Sequence, residues 1–212
     1  MFRDRLAAGE QLGARLAERD LGIGVVLGIP RGGLPVARPV ADALACPLDV
    51  VVASKIGAPH NAELALGAAA ADGSAWYNDA LIDRLGVETA YLDQEREHEA
   101  DAAREKERRY RGAAGGPDLD GETVAVVVDD GLATGATALA CLRQVREAGA
   151  ERVVFAVPVG SSNAIARVER EADEVICIEV PERFGAVGQF YRSFEQVSDE
   201  KALEYLDRES PI

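Results

Sequence analysis

Two adjacent carboxylates and a short turn rich in glycine and threonine offer the clearest chemistry in this sequence. Asp129 and Asp130 precede residues 131–137, which read Gly-Leu-Ala-Thr-Gly-Ala-Thr. A carboxylate pair of this kind suits sugar hydroxyls, or a divalent cation that accompanies phosphates. The turn suits a phosphate monoester, because backbone N–H groups and the hydroxyls of Thr134 and Thr137 can all donate to its oxygens.

The pair and the turn need a strand before them and a helix after them. Residues 124–128 read Val-Ala-Val-Val-Val, a run that predicts a strand buried on both faces of a parallel sheet. From Ala136 onward, Leu139, Leu142 and Val145 recur at helical spacing. We therefore expect the carboxylates at the carboxyl end of a strand and the turn at the positive end of a helix dipole.

This segment resembles the motif with which type I phosphoribosyltransferases bind 5-phosphoribosyl 1-diphosphate (PRPP). Four apolar residues and two acids precede a Thr-Gly-x-Thr turn, as they do here. Receiver domains also carry paired acids near strand ends, but those pairs follow the first strand and lack this turn. The resemblance implies that Asp129 and Asp130 bind the ribose hydroxyls and contact Mg²⁺ indirectly, through PRPP or water. The positions that would hold the 5′-phosphate are Ala133, Thr134, Gly135, Ala136 and Thr137.

A second candidate anion site follows an earlier predicted strand, 24–28. Arg31, Gly32 and Gly33 lie between that strand and a helix predicted over 34–45. Glycines let the backbone approach an anion closely, and arginine supplies a fixed positive charge. The resemblance makes this the pyrophosphate loop, with Arg31 acting in catalysis and the glycines contacting the diphosphate. An ordinary strand-to-helix turn with a surface arginine is the alternative.

Lys55 is the second candidate catalytic residue. It follows a strand predicted over 48–53, and the carboxyl ends of parallel strands are where ligands bind in open α/β sheets. Its position resembles that of a basic residue that contacts PRPP in related enzymes, and a solvated lysine is the alternative. The turn-rich residues 57–63 are predicted to form a loop that could move over the site.

A charged region between Lys55 and the acidic pair is predicted to be a helical insertion, about 79–120. Residues 87–111 are dense in Glu, Asp and Arg, which is typical of a solvated helix face, and a flexible break is predicted over 112–117. In the alternative interpretation, an arginine at the end of this helix contacts a pyrophosphate or a dimer interface. The candidates are Arg108, Arg109 and Arg111.

Aromatic residues and glycines concentrate near the C-terminal end, at about 179–195. They could cap the end of the sheet. The resemblance instead implies a hood that contacts the ring of the nucleophile, with Val180, Phe184 and Val187 as candidate contacts.

The order of strands and helices predicts one α/β domain over residues 1–212, a doubly wound, mainly parallel sheet flanked by helices. A formal net charge of −14 argues against general binding to nucleic acid or to anionic membranes. The opening residues, Met-Phe-Arg-Asp-Arg, lack the apolar run of a signal peptide, which indicates a cytoplasmic protein.

The function that the resemblance implies is Mg²⁺-dependent transfer of the 5-phosphoribosyl group from PRPP to a nitrogenous base or other small nucleophile. Pyrophosphate is released, the enzyme serves nucleotide metabolism, and the partner expected is a second copy in a homodimer. Ala133 stands where members that use hypoxanthine or guanine carry Asp, which argues against a 6-oxopurine acceptor. The alternative function is a non-catalytic PRPP-binding regulator or sensor on the same fold.

Overall fold

A computed structural model describes residues 1–112, 119, 121 and 123–206 of the chain. Strands and helices alternate through most of this length. The elements, in chain order, are α1 (Arg5–Ala17), β1 (Ile23–Gly28), α2 (Leu34–Leu44), β2 (Leu48–Val50), β3 (Ala53–Ala58), β4 (Asn61–Ala70), β5 (Ala75–Tyr77), α3 (Asp79–Leu85), α4 (Thr89–Arg111), β6 (Val124–Val128), α5 (Ala136–Glu147), β7 (Arg152–Val159), α6 (Ser162–Val168), β8 (Glu174–Glu179) and α7 (Asp199–Leu206). A short 3₁₀ helix, Val187–Phe190, lies between β8 and α7.

Five strands form a parallel sheet in the order β2-β1-β6-β7-β8. The central strand β6 is buried along its whole length because helices cover both faces. On one face Val126 packs with Leu12 of α1 and Val40 of α2, whereas on the other Val127 packs with Leu139 of α5. The predicted doubly wound, mainly parallel sheet flanked by helices is confirmed.

The segment after β2 corrects the sequence-based prediction. The strand predicted over 48–53 ends at Val50. The prediction of a loop over 57–63 is wrong, because most of these residues belong to β3 and β4. Instead, β3 and β4 form an antiparallel hairpin that β5 extends to a separate three-stranded sheet. Alanine and glycine are frequent in this hairpin and have low strand propensity, so packing against α4 and α5 selects it rather than local preference.

Helix α4 occupies the charged segment in which a helix was predicted. Side chains fix it to the hairpin: Tyr91 Oη donates to the Gly57 carbonyl at 3.0 Å, and Arg104 Nε donates to the Ala71 carbonyl at 2.9 Å. Part of the helix surface, including buried Ala100 and Ala103, is therefore in contact with the body of the protein rather than with solvent.

Residues 113–118, 120 and 122 lie outside the described part of the chain. Most of the predicted break at 112–117 and the end of the predicted insertion fall on them. The division of the domain into core, insertion and hood stays a prediction.

Aromatic side chains near the C-terminal end pack with Phe2 at the start of the chain. The rings of Phe2 and Tyr191 have centroids 5.5 Å apart, and the Phe2 N–H donates to the Phe190 carbonyl at 2.7 Å. Phe184 and Phe194 belong to the same cluster, which covers the end of β7. Among helices of the described residues, none is long and apolar enough to cross a membrane.

Candidate functional site

The loops after β1 and β6 lie side by side because these strands are neighbours in the parallel sheet. The Ile29 N–H donates to the Val128 carbonyl at 2.9 Å, so both loops leave the sheet at the carboxyl ends of its strands. They also approach each other at Gly32, where a Cβ would lie 2.1 Å from Asp130 Oδ2. A side chain at this position would force the carboxylate or the loop to move, so the loop after β1 and the acidic pair meet through a glycine.

Asp130 is held by side chains from both ends of the chain. Arg5 Nε of α1 donates to Asp130 Oδ2 at 2.8 Å, and Tyr191 Oη donates to its backbone carbonyl at 2.6 Å. The Asp130 N–H donates to Asp129 Oδ1 at 2.8 Å. Burial raises the pKa of both carboxyls; the charge of Asp130 raises that of Asp129 further, whereas Arg5 opposes the rise at Asp130. Ionising both carboxyls together is therefore costly.

The turn that follows the acidic pair leads directly into helix α5. Ala133 and Thr134 are exposed, and Gly135 takes a positive φ of 84° immediately before the helix. Ala136 and Thr137 form the first residues of α5. The first N–H groups of a helix have no acceptor within it, so the predicted phosphate turn can offer them to an anion.

The loop after β1 leaves no space for a side chain at its second glycine. A Cβ at Gly33 would lie 2.5 Å from the Ile29 carbonyl oxygen and 2.7 Å from that of Val128. The peptide bond between Pro30 and Arg31 is cis. Helix α2 begins at the residue after Gly33. The loop therefore brings its backbone and Arg31 close to the end of β6.

Helix α4 reaches this loop through its last two turns. Lys106 Nζ donates to the Pro30 carbonyl at 3.0 Å. Burial lowers the pKa of the Lys106 ammonium and Arg31 lowers it further, whereas the carboxylates of Asp199 and Asp129 oppose the shift. Lys106 thus lies among the ionisable groups of both loops.

Asp199, at the start of α7, is the anion that faces Arg31. Its Oδ1 lies 3.7 Å from Arg31 Nη1. Tyr110 Oη donates to Asp199 at 2.7 Å and Arg109 Nη1 donates at 2.6 Å. These two hydrogen bonds hold the pKa of Asp199 below its ordinary value.

The arginines at the end of α4 were candidates for a pyrophosphate contact. In the structure Arg109 pairs with Asp199, and Arg111 pairs with Asp49 at 2.9 Å and with Glu107 at 3.2 Å. Arg108 is exposed. Arg109 and Arg111 therefore anchor the end of the helix.

A cavity of about 500 Å³ opens where these loops meet. It brings together residues of the loop after β1, of the acidic pair, of α1 and of the aromatic C-terminal region. Its lining includes Arg5, Arg31, Gly32, Asp130, Val187 and Phe194. A concave site with a few convergent polar groups is typical of small-molecule binding.

Among the described residues, the lining of this cavity does not include Asp129, Gly33 or residues 133–137, and three further predicted site residues lie elsewhere. Lys55 is on β3, with Nζ 3.2 Å from Glu63 Oε2 across the hairpin. Val180 follows β8 and is 49% exposed. Phe184 stacks on Phe190 with ring centroids 5.3 Å apart. Within the described residues, the lining of the 500 Å³ cavity includes none of these three side chains, and their roles stay predictions.

Sequence reasoning missed four residues that the fold brings to the site: Arg5, Lys106, Tyr191 and Asp199. They come from regions remote in sequence from the loops that they contact, so the strand-and-turn motifs gave no signal for them. Lys106 alone carried a local signal. It is three residues after buried Ala103 and four before buried Tyr110, which puts it on the packed face of α4.

In the part of the chain that the structure describes, two groups of residues could contact a metal. Asp129 and Asp130 offer carboxylate oxygens, which Mg²⁺ prefers. Because Arg5 already bonds one Asp130 oxygen, the pair fits contact through a ligand or water better than direct coordination. A second group, Glu95, His98 and Glu99 on α4, has ligand atoms within 4.8 Å of one another. The His98 side chain is 72% exposed, as is common for polar residues at helical spacing.

Comparison with known proteins identifies a family match that includes the acidic pair and the turn after β6. A family model described as a phosphoribosyl transferase domain matches residues 68–195, which include the acidic pair and the turn but not the loop after β1. Proteins from two strains of Mycobacterium tuberculosis, both provisionally named phosphoribosyl transferases, are 46% identical over 209 residues. The match covers 98% of this chain and 47% of each relative, so the chain spans about half the length of these curated relatives.

A solved structure supports the same grouping. The crystal structure of a protein from Thermus thermophilus, TT1426, is 41% identical to this chain, with a TM-score of 0.82. The alignment covers 97% of both chains. It therefore includes the loop after β1 and the N-terminal helix, which the family model does not reach.

Proposed function

The chain belongs to the type I phosphoribosyltransferase family, and from that premise we propose that it transfers the 5-phosphoribosyl group of PRPP to a nitrogen nucleophile. The observation that carries the proposal is the close approach of Gly32 to Asp130. It sets a loop suited to diphosphate against a carboxylate pair and phosphate turn suited to ribose 5-phosphate.

Each part of the site has a role in this reaction. The turn at 133–137 holds the 5′-phosphate through backbone N–H groups and the hydroxyls of Thr134 and Thr137. Asp129 and Asp130 accept hydrogen bonds from the ribose hydroxyls. The backbone of Gly32 and Gly33 approaches the diphosphate. The ribose end of PRPP is thereby fixed while its diphosphate end meets positive charge.

The chemical step exchanges one bond at C1 of the ribose for another. The bond from C1 to the diphosphate oxygen breaks and its electron pair leaves with pyrophosphate. The nucleophile nitrogen bonds to C1 and loses its proton to the departing pyrophosphate or to water. Positive charge develops on the ribose, close to the carboxylate pair, and Arg31 stabilises the charge on the departing diphosphate. Lys55 is a second candidate cation for this step.

Mg²⁺ is part of the proposal. When bound with PRPP it would neutralise charge on the diphosphate. Asp129 and Asp130 would hold it through PRPP or water.

The acceptor enters, on this proposal, from the side of the aromatic C-terminal region. Val187 and Phe194 line the cavity there, and Val180 and Phe184 are candidate ring contacts. Ala133 offers no carboxylate to a 6-oxopurine, so other bases and small amines are the acceptors to test first. A cytoplasmic location and a homodimer stay predictions.

Calorimetric titration with PRPP and Mg²⁺ tests the proposal. The wild-type protein should bind PRPP, and the double variant Asp129→Asn/Asp130→Asn should lose that binding. The matched control, Asp79→Asn/Asp83→Asn, changes two exposed acids on α3 and should bind as wild type does. Wild-type protein that fails to bind PRPP, or a double variant that binds normally, would overturn the proposal.

A pyrophosphate-release assay then separates an enzyme from a sensor. The wild-type protein with PRPP and Mg²⁺ is screened against purine and pyrimidine bases and small amines. Release with at least one acceptor supports transfer. Binding without release across the whole panel would favour the alternative, a non-catalytic PRPP-binding regulator.

A further inference from the structure

Lys106 lies on the packed side of helix α4. It is three residues after buried Ala103 and four before buried Tyr110, and it is half-buried whereas Glu105 and Arg108 beside it are exposed. Placing a cation against the body of a protein is unfavourable unless nearby groups compensate for its lost hydration. The groups that contact Lys106 therefore indicate which part of the site its positive charge acts on.

The group that compensates the Lys106 ammonium for its lost hydration belongs to the loop after β1, which is proposed to bind diphosphate. An ammonium has three donors, and within the described residues Pro30 is the acceptor that Lys106 contacts, at 3.0 Å. That carbonyl directly precedes Arg31, Gly32 and Gly33. The hydrogen bond thus fixes the start of the segment whose backbone must approach an anion, and donor capacity remains on the same amine.

The helix that carries Lys106 is itself held in place. Arg104 Nε donates to the Ala71 carbonyl at 2.9 Å, and Tyr110 Oη donates to Asp199 at 2.7 Å. These contacts lie on either side of Lys106 along α4. The amine is therefore positioned by a rigid element, as a residue with a geometric role requires.

We propose that Lys106 is a positioning residue for the diphosphate end of the site, holding the loop 30–33 in its anion-binding form and adding a positive charge beside it. This inference rests on the proposed function. It assigns to α4 a part in diphosphate binding through a lysine, whereas the sequence allowed such a part only as an alternative and only for arginines at the end of the helix.

Binding of three probes tests the inference: PRPP with Mg²⁺, inorganic pyrophosphate with Mg²⁺, and ribose 5-phosphate. Lys106→Met keeps the aliphatic stem but removes the charge and the hydrogen bond. We expect it to weaken PRPP and pyrophosphate binding about tenfold, the usual effect of losing one charge-assisted hydrogen bond. Ribose 5-phosphate, which needs only the turn and the acidic pair, should bind Lys106→Met as it binds wild type.

Two further variants distinguish positioning from general stability. Lys106→Arg keeps a cation and donors, and should recover most of the lost pyrophosphate affinity. Lys201→Met removes an exposed lysine of α7 that pairs with Glu204, and should leave all three affinities unchanged. Thermal unfolding of each variant shows whether it is folded at the temperature of the titration.

The possible results separate this inference from the proposed function. If wild type binds PRPP but Lys106→Met binds pyrophosphate equally well, the inference fails and the proposed function stands. A parallel loss of ribose 5-phosphate affinity in Lys106→Met would also overturn it, because it would indicate a general structural role. Wild-type protein that binds no PRPP would overturn both.

Discussion

The two ends of the candidate site are built in different ways. The end proposed to bind ribose 5-phosphate comes from one continuous stretch, the acidic pair and the turn between β6 and α5. The end proposed to bind diphosphate is assembled from the loop 30–33, Lys106 of α4 and Asp199 of α7. One end therefore depends on local backbone conformation, whereas the other depends on how distant elements pack.

The comparison teaches where each end is sensitive. At the turn, the backbone and hydroxyl groups that would bind phosphate follow from the conformation of a few consecutive residues. At the loop, the electrostatic environment of Arg31 is set by a lysine and an aspartate from elsewhere in the chain. Except at Gly32, where the two ends touch, we expect substitutions at the turn to act on the 5′-phosphate alone and substitutions around the loop to act on the diphosphate alone.

The largest effect should come from the point where the two ends touch. In Gly32→Ala the new Cβ would lie 2.1 Å from Asp130 Oδ2, so the loop or the carboxylate must move. A displacement of about 1 Å in a positioned site can cost about 100-fold in rate, so we expect the rate of pyrophosphate release to fall by that order. Gly121→Ala is the control, because a Cβ there has nothing within 4 Å among the described residues. An unchanged rate of pyrophosphate release in Gly32→Ala would show that the two ends are not coupled through this contact.

A smaller effect is expected within the turn. Thr134→Val removes an exposed hydroxyl without changing the shape of the side chain. Loss of one hydrogen bond to a charged group should weaken binding of ribose 5-phosphate about tenfold and leave pyrophosphate binding unchanged. Thr89→Val, at the start of α4, is the matched control. A loss of pyrophosphate affinity in Thr134→Val would contradict the division of the site into two ends.

The sequence predicted the continuous end of the site better than the assembled end. Five apolar residues followed by two acids predicted strand β6 and placed the acidic pair at its carboxyl end, because a short, uninterrupted apolar run is typical of a strand buried on both faces. The hairpin of β3 and β4 was not predictable, since its alanines and glycines prefer helix or turn and only packing against α4 and α5 makes them strands. Arg5 and Lys106 were missed for a related reason: their partners lie 125 and 76 residues away, and no local pattern reports such a contact.

Asp129 belongs to the continuous end of the site. Its burial should lower the free energy of unfolding at neutral pH, where the carboxyl must ionise inside the protein. Between the ordinary carboxyl pKa of 3.8 and the raised pKa of Asp129, the folded protein keeps a proton that the unfolded chain has lost. Stability therefore falls as pH rises through that window and stays lower at neutral pH. Asp129→Asn cannot ionise, so its Tm should exceed that of wild type at pH 7.5, with roughly 2–4 °C for each kcal/mol regained.

The pH dependence of that difference is the sharper measurement. The advantage of Asp129→Asn should shrink as pH falls through the raised pKa towards 3.8, because wild-type Asp129 then becomes protonated in the folded state as well. Asp83→Asn, an exposed acid on α3, provides the control scan. A Tm of Asp129→Asn below that of wild type at pH 7.5 would mean that the ionised pair stabilises the fold.

The smallest effect should come from the counter-ion of the assembled end. Asp199 Oδ1 lies 3.7 Å from Arg31 Nη1, and a diphosphate must compete with that carboxylate for the same guanidinium. Partly exposed ion pairs of this kind contribute about 1 kcal/mol or less, so Asp199→Asn should tighten pyrophosphate binding only about threefold. Glu200→Gln, the next residue along α7, should have no effect. Weaker pyrophosphate binding by Asp199→Asn would show instead that Asp199 holds Arg31 ready for the diphosphate, so that this end, like the turn, is organised before its ligand arrives.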